Sequence, residues 1–305
     1  MELRMSGRYV LLSACKDESE FIGLCLESVR RQTVPPLTWI IVDDGSTDGT
    51  PEIIESYAAD CPYIELIRLP PGRPRSFGAK DRAIQLAYER VRSREFAFVG
   101  VLDTDVSLES PDYYETVLRE FKTHADLGIA GGRVYERQAG SWRERQVNTA
   151  WSVAGCVQLF RRECFDAIGG FVPLECGGSD TFAEFQLRMQ GWQTRSLDGL
   201  PVHHYRPTSS AGGLLRGYYR LGVMDASFGS HPAFMLVKCV RRLLYRPWVV
   251  GAAALYAGYL VHHLRGRQLK IPIAVSRYLR KEQVGRLRNL LRLRGDGITD
   301  HPGRR

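Results

Sequence analysis

No stretch of this 305-residue chain comes close to the roughly 20 consecutive apolar residues of a confident membrane-spanning helix. Near the start of the chain, the apolar run from Tyr9 to Cys15 is followed at once by Lys16, Asp17 and Glu18. That run is too short and too quickly charged for a secretory signal peptide. We therefore expect a cytoplasmic protein.

Several ligand-binding signatures are also missing. The sequence has no G-x-G-x-x-G fingerprint and no P-loop, so neither a dinucleotide site nor a Walker-type nucleotide site is expected. Its seven cysteines are an odd number and form no C-x-x-C pair. We interpret them as reduced structural thiols rather than as a zinc site or a disulfide framework.

Acidic residues are scarce in the last third of the chain. Residues 206–305 hold 19 Lys and Arg against 4 Asp and Glu, a balance of +15, whereas the first 205 residues have a balance of −7. A basic block of this kind favours anionic membrane surfaces or nucleic acid as partners. No aromatic and basic stripe accompanies a known binding module, so we do not expect nucleic acid.

The same region contains the longest segment without charge. The 18 residues PWVVGAAALYAGYLVHHL lie between Arg246 and Arg265. Basic residues on both sides, together with Trp248, Tyr256 and Tyr259, favour a helix in the plane of a membrane interface. A helical appendage packed on the rest of the chain and a full crossing are the alternatives. We expect residues 212–294 to hold the protein on anionic membranes.

Apolar runs and helical spacing alternate over the first 105 residues. Strands are predicted at Tyr9–Cys15, Trp39–Val42, Ile64–Leu69 and Phe96–Leu102, with a helix in each interval. Short continuous apolar runs are typical of strands buried on both faces, and the alternation predicts a mainly parallel α/β sheet with helices on both faces.

Elements after residue 105 are predicted less regularly. The sequence indicates strands or extended segments at Ile129–Arg137, Val157–Phe160 and Leu200–Pro207, and a helix that ends near Gln190. Beyond Ala211 only helices are expected.

Two acidic clusters directly follow predicted strands. Asp43 and Asp44 follow one strand, and Asp103 and Asp105 form a D-x-D after another. In parallel sheets the ligand crevice lies outside the carboxyl ends of the strands. A carboxylate such as Asp44 can accept a hydrogen bond from a base or ribose, and the D-x-D suits Mg²⁺ or Mn²⁺ with phosphate ligands. The segment Asp103–Ser107 also resembles the nucleophile motif of haloacid-dehalogenase-type phosphatases, which is a rival interpretation.

Residues 8–210 together resemble family 2 glycosyltransferases of the GT-A fold, of the bacterial surface-polysaccharide type. The resemblance rests on motifs in the family's order: SACKDE, VDDGSTDGT, RSFGAKDRAIQLA, LDTDVS, QLFRRECFDAIGGFVPLECGGSD and HHYRP. VDDGSTDGT is a very close match. Two departures stand out: the first motif lacks the usual Pro and Asn, and Ser179 replaces the usual Glu beside Asp180.

The resemblance implies a role for each matching residue. Asp180 would be the catalytic base, and Asp105 with Asp103 would bind the metal ion. Asp44 would read the nucleotide base. The nucleotide-sugar contacts implied in the same way are Ser13, Asp17, Glu18, Asp43, Asp44, Lys80, Asp103, Thr104, His204 and Arg206.

Asp180 also has a purely structural interpretation. It precedes a predicted helix, where an Asp side chain commonly caps the first turn. If the base lies elsewhere, Glu184, one turn along the same helix, is the next candidate.

These observations predict an inverting glycosyltransferase that uses a nucleotide-diphosphate sugar, UDP-linked by expectation, and Mg²⁺ or Mn²⁺. The acceptor would be a hydroxyl of a polysaccharide or lipid-linked glycan. Residues 1–210 would form the donor and acceptor domain, and residues 211–305 a basic helical extension on the inner face of the cell membrane. The alternatives are the Mg²⁺-dependent phosphatase built on Asp103 and Asp105, and a catalytically inactive membrane-bound scaffold.

Overall fold

A computed structural model describes residues 7–72, 76–138, 140–145, 149–206, 213–244 and 247–292. The chain divides into two compact units, Met1–Thr208 and Ser209–Arg305. The domain boundary predicted between residues 210 and 211 lies outside the described residues. So do Arg246, Pro207 and residues 73–75 of the basic loop.

The first half of the first unit alternates strands and helices as predicted. Its elements are β1 (Tyr9–Cys15), α1 (Ile22–Arg30), β2 (Thr38–Asp43), α2 (Thr50–Asp60), β3 (Ile64–Arg68), α3 (Phe77–Val91) and β4 (Phe98–Leu102). Strand β1 lies between β2 and β4 and is parallel to both, and β3 is parallel to β2. The expected α/β class is confirmed, and the carboxyl ends of β1, β2 and β4 meet at one edge of the sheet.

The second half extends the sheet with mixed pairing. It contains β5 (Val106–Leu108), α4 (Tyr113–Thr123), β6 (Leu127–Gln138), β7 (Ser141–Glu144), β8 (Val157–Arg161), α5 (Arg162–Ala167), α6 (Ser179–Met189) and β9 (Gln193–His204). The strand order is β3-β2-β1-β4-β8-β6-β9-β5, and β7 pairs with β6. Strand β8 is antiparallel to β4 and β6, whereas β6 and β9 are parallel.

The sheet is covered on both faces, which explains the continuous apolar strands. Tyr9 and Leu11 of β1 enter one hydrophobic core, and the alternate residues Val10 and Leu12 enter the other. Helices α1, α2 and α4 supply side chains to the first core, and α3, α5 and α6 to the second. A strand with both faces buried needs apolar residues at every position.

The second unit is helical, as predicted. It consists of α7 (Leu214–Ser227), α8 (Pro232–Arg242), α9 (Trp248–Leu264) and α10 (Ile273–Arg292). Helices α7 and α9 approach closely, since a Cβ atom on Gly222 would lie 1.9 Å from the Leu255 carbonyl oxygen and one on Gly258 2.0 Å from that of Tyr219. Within the ranges described above, none of the helices has the length and hydropathy needed to cross a bilayer.

Candidate active site

Asp43 and Asp44, in the turn after β2, face different surroundings. The Asp43 carboxylate accepts hydrogen bonds from the backbone N–H of Ser46, at 3.2 Å, and from the Ser46 hydroxyl. Asp43 therefore stabilises the turn. Asp44 instead lines a cleft of about 430 Å³. The other lining residues are Leu69, Ser76, Ala79, Arg82, Ala83 and Leu86.

The residues predicted at the end of β1 hold the edge of the sheet together. Ser13 is fully buried, and its hydroxyl donates to the Leu102 carbonyl at 2.6 Å and accepts from the Trp39 indole at 2.8 Å. Its side chain therefore fixes strands rather than facing the cleft. The Asp17 carboxylate accepts from the Thr47 N–H at 2.9 Å and so ties β1 to the β2–α2 turn.

Lys80 and Asp103 form an ion pair at the end of β4. The Lys80 ammonium lies 2.5 Å from Asp103 Oδ1. Burial would lower the pKa of Lys80, but Asp103 and, beyond it, Asp180 raise it above its usual range. Burial raises the pKa of Asp103, although Lys80 opposes this. Helix α3 thus places a fixed positive charge beside the first carboxylate of the D-x-D.

The second carboxylate of the D-x-D faces His204 at the end of β9. Asp105 Oδ2 lies 3.4 Å from His204 Nε2, and Glu136 Oε1 lies 3.8 Å from His204 Nδ1. Burial alone would lower the pKa of His204, but the two carboxylates raise it to about 9. Burial would raise the pKa of Asp105, yet His204, Lys80 and Arg206 hold it below its ordinary value.

Arg206 connects the end of β9 to the end of β1. Its guanidinium donates to Glu18 Oε1 at 2.7 Å and to the Asp17 carbonyl at 3.3 Å. Glu18 is 5% exposed. Thr104, between the two aspartates of the D-x-D, is also buried. His204 and Arg206 therefore bring positive charge to the D-x-D edge, where a diphosphate would need it.

Asp180 lies in the first turn of α6, but it does not cap the helix. The N-cap is Gly178, with φ +91°, and no side chain caps the first turn. The capping interpretation of Asp180 is therefore wrong. A glycine lets the neighbouring loop reach this carboxylate, because a Cβ atom on Gly155 would lie 2.1 Å from Asp180 Oδ2.

Ser179, which stands where the resemblance gives a Glu, has a defined partner. Its hydroxyl donates to Asp81 Oδ1 at 2.6 Å, and Asp81 Oδ2 accepts from the Leu174 N–H at 3.3 Å. Burial raises the pKa of Asp81 to about 6. The hydrogen bond ties the first turn of α6 to α3.

Glu184, the alternative base, has its carboxylate turned into the protein. It is 2% exposed and accepts hydrogen bonds from the Val153 N–H at 2.6 Å and the Ser152 hydroxyl at 2.9 Å. Arg188 pairs with it at 3.1 Å. Glu184 anchors the loop that approaches Asp180 and has no access to an acceptor hydroxyl.

The structure therefore gathers most of the predicted residues around one edge of the sheet. Lys80 links the two key groups, because it contacts Asp103 and lies within electrostatic range of Asp180. Residues that the sequence analysis missed are Arg82 in the cleft, Glu136 behind His204, Gly155 against Asp180, and Asp81 behind Ser179. Arg82 carried a usable signal, since it lies three residues after Ala79 on α3 and both residues line the cleft.

Sequence comparison gives the family to which this α/β fold belongs. The profile of Glycosyl transferase family 2 matches residues 11–178, more than half of the chain. The chain belongs to this family. Family membership removes the phosphatase interpretation of Asp103 and Asp105.

Two curated relatives match less than half of this chain. The putative glycosyltransferase EpsH of Bacillus subtilis is 34% identical over 120 residues, which are 39% of this chain and 32% of EpsH. A chondroitin synthase of Escherichia coli is 36% identical over 113 residues, 37% of this chain and 15% of that protein. The matched part thus spans a third or less of these two relatives.

Solved structures share the fold over most of the chain. The Pyrobaculum calidifontis mannosyltransferase PcManGT, in complex with GDP-Man and Mn²⁺, has a TM-score of 0.57 at 18% identity and covers 85% of this chain and 87% of its own. Residues 1–349 of S. aureus TarS, in complex with UDP-GlcNAc, give a TM-score of 0.55 at 13% identity over 89% of this chain and 78% of that one. Identities this low establish the fold alone.

Proposed function

We propose that this protein is an inverting glycosyltransferase that moves a sugar from a UDP-linked donor to a hydroxyl of a polysaccharide or lipid-linked glycan. Residues 1–210 would carry the reaction. The observation that carries the proposal is the ion pair of Lys80 with Asp103, at 2.5 Å. Asp103 and Asp180 both raise the pKa of Lys80, which supports placing the D-x-D and the proposed base in one site.

The cleft beside Asp44 suits a nucleotide. Its carboxylate would accept the N–H of a uracil ring, and Arg82 supplies a positive charge in the same cleft of about 430 Å³. Lys80, His204 and Arg206 would face the diphosphate. The TarS structure contains UDP-GlcNAc and the PcManGT structure GDP-Man, so the choice of uracil rests on Asp44 rather than on these neighbours.

The chemical step requires a base on the acceptor side of the sugar. Asp180 would take the proton of the acceptor hydroxyl while its oxygen attacks the anomeric carbon from the face opposite the diphosphate. The bond from that carbon to the diphosphate oxygen breaks, its electron pair leaves with the nucleotide, and the configuration inverts. Gly155 leaves room for the Asp180 carboxylate at this position.

The carboxylate oxygens of the D-x-D suit a divalent cation. Asp105, supported by Asp103, offers the hard oxygen ligands that Mg²⁺ and Mn²⁺ prefer, and His204 Nε2 lies 3.4 Å from Asp105. Across the described ranges, no three His, Cys, Asp or Glu side chains stand in metal-binding geometry. A bound ion would neutralise charge on the leaving diphosphate.

Binding of donors to the purified protein tests this proposal. A thermal-shift screen of UDP-, GDP-, dTDP- and CMP-sugars, each with Mn²⁺, Mg²⁺ or EDTA, should show stabilisation by UDP-sugars that depends on the metal. Donor turnover by the same samples should follow. If no donor binds and none is turned over, the inactive-scaffold alternative replaces the proposal.

The basic second unit supports a place at a membrane. Residues 209–305 hold 18 Lys and Arg against 4 Asp and Glu, and a polybasic surface is drawn to anionic lipids at about 1 kcal/mol per basic residue near the surface. We propose peripheral association with the inner face of the cell membrane, where lipid-linked acceptors would be presented.

A further inference from the structure

Helix α8 buries Met235 and Cys239 but leaves other large apolar side chains in solvent. Two of its cations have partners within the second unit: Lys238 pairs with Asp225 at 2.6 Å, and Arg242 donates to the Tyr218 hydroxyl at 2.5 Å while lying 4.2 Å from that ring's centre. Its aliphatic side chains face outward, with Leu236 57% and Val240 58% exposed. A surface helix normally buries its apolar stripe and exposes its charges.

More exposed apolar side chains follow the end of α8 and stand at the start of α9. Leu236 and Val240 lie one turn apart on α8, and Leu243 and Leu244 come directly after its last residue, Arg242. Leu244 is 72% exposed, and Trp248 and Val249 at the start of α9 are 53% and 69% exposed. We call these six residues the α8–α9 apolar surface. So many large exposed apolar side chains in one short segment mark an interaction site.

The charge around this surface identifies its partner. In the described part of the second unit both acidic residues are neutralised, Asp225 by Lys238 and Glu282 by Arg286. Arg216, Arg241 and Arg265 are exposed. Exposed apolar side chains with Arg241 among them in the chain, on a unit with exposed cations and no unpaired acid among its described residues, match an anionic bilayer, in which Leu, Val and Trp enter the acyl boundary and Arg meets the headgroups.

We infer that the α8–α9 apolar surface inserts into the headgroup layer of an anionic membrane and so docks the enzyme there. This inference rests on the membrane association proposed above and specifies the residues that cause it. It differs from the expectation that the charge-free segment lies flat in the interface, because a third of that segment is buried within the protein: Gly251, Ala252, Leu255, Gly258, Tyr259 and His262.

Vesicle binding by the full chain tests the inference. Leu236→Gln, Val240→Gln and Leu244→Gln combined should weaken binding to phosphatidylglycerol-containing vesicles by ~30-fold or more, because three apolar side chains that would enter the acyl boundary are replaced by polar ones. The matched control is Leu24→Gln, Val172→Gln and Met189→Gln, three exposed aliphatic residues of the first unit, and it should bind as the parent does. Neutral phosphatidylcholine vesicles should bind the parent more weakly, and raised salt should reduce that difference.

Trp248 provides a direct readout of insertion. Its fluorescence should be quenched by lipids brominated near the headgroup, and Trp248→Phe should remove most of that quenching although four other tryptophans remain. Unchanged quenching in this variant would mean that another part of the chain meets the membrane.

Three results would overturn the inference. The parent chain ignores anionic vesicles at low salt, the triple variant binds as well as the parent, or light scattering shows a dimer that the triple variant separates into monomers. The last result would assign the surface to a second copy of this chain. Vesicle binding is measured without donor, metal or acceptor, and calorimetric donor binding in the same variants should be unchanged. Failure of the docking surface and failure of the proposed transfer reaction are therefore distinguishable.

Discussion

Asp180→Asn is the substitution that most directly tests the proposed chemistry. Asn keeps the size of the side chain but cannot accept the acceptor proton, so kcat should fall by ~10²–10⁴. This corresponds to an activation barrier raised by about 3–5 kcal/mol. Donor affinity should stay within about twofold of the parent, because the base acts on the acceptor side of the sugar.

The structure also predicts what this substitution does to stability. Asp180 makes no capping hydrogen bond, since Gly178 is the N-cap and the first turn of α6 has no side-chain cap. What is lost is the interaction of its charge with the helix N-terminus, worth ~0.3–1 kcal/mol, and with Lys80, and both substitutions lose these equally. Asp180→Asn and Asp180→Ala should therefore have nearly the same midpoint of unfolding, unlike a pair of substitutions at a true N-cap.

A second substitution, at Gly155, would displace the Asp180 carboxylate without replacing it. Gly155→Ala adds a methyl group 2.1 Å from Asp180 Oδ2 and 2.5 Å from its Cγ atom. The carboxylate must move, so kcat should fall while donor binding persists, because misplacement by about 1 Å can cost ~10²-fold in rate. An alanine at Gly23, whose added Cβ atom meets nothing within 4 Å, is the matched control.

Single-turnover transfer, calorimetric donor binding and a melting curve on each variant decide the matter. Parental transfer by Asp180→Asn would refute the assignment of the base. Equal loss of donor affinity and of turnover would instead show that Asp180 belongs to the donor side of the site.

Three further perturbations address the proposed donor site and the buried carboxylate of Glu184. Asp105→Ala should abolish metal-dependent binding of the nucleotide sugar, and affinities that are equal with and without EDTA in the parent would count against a metal at the D-x-D. Asp44→Ala should weaken UDP binding by about 1.5–3 kcal/mol, the range for a hydrogen bond to a charged group, and equal affinity of the parent for UDP and GDP would remove the reason for that expectation. Burial raises the pKa of Glu184 from 4.5 to about 7, so its contribution to stability is complete below pH ~4.5 and is lost as the pH rises through 7, a difference of about 3 kcal/mol. Glu184→Gln should flatten that part of the pH dependence in denaturant unfolding at pH 5 and pH 8, and a slope identical to the parent's would show that Glu184 does not titrate there.

The sequence predicted the first half of the sheet well because burial on both faces leaves a strong signal. β1 and β4 are continuous apolar runs, and their predicted limits lie within two residues of the observed ones. Strands β5 and β7 were missed. β5 has only three residues, and β7 (SWRE) is mostly exposed and carries no apolar pattern. Such strands form because a neighbouring strand offers hydrogen bonds, which composition does not reveal.

In the candidate site, too, the sequence predicted some residues and not the contacts that hold them. Motifs pointed to residues that carry charge at strand ends, such as Asp103 and Asp105. Their partners come from distant parts of the chain: Lys80 is 23 residues before Asp103, and Asp81 is 98 residues before Ser179. The sequence alone gives no reason to place Gly155 in the site, because its role depends on the Asp180 carboxylate that lies against it. Pairings across this distance depend on how helices α3 and α6 pack on the sheet, and one sequence does not determine that packing in advance.

The first turn of α3 couples the two halves of the proposed reaction. Lys80 contacts the D-x-D through Asp103, and the next residue, Asp81, holds Ser179 beside the base. Because Lys80 and Asp81 are neighbours on α3, the D-x-D and the start of α6 are both held by the same short stretch of this helix. A glutamate at position 179 would bring a second carboxylate against the buried Asp81, which like-charge repulsion and desolvation disfavour. The serine at 179 and the aspartate at 81 are therefore a matched pair in this chain, and the position of Asp180 depends on both.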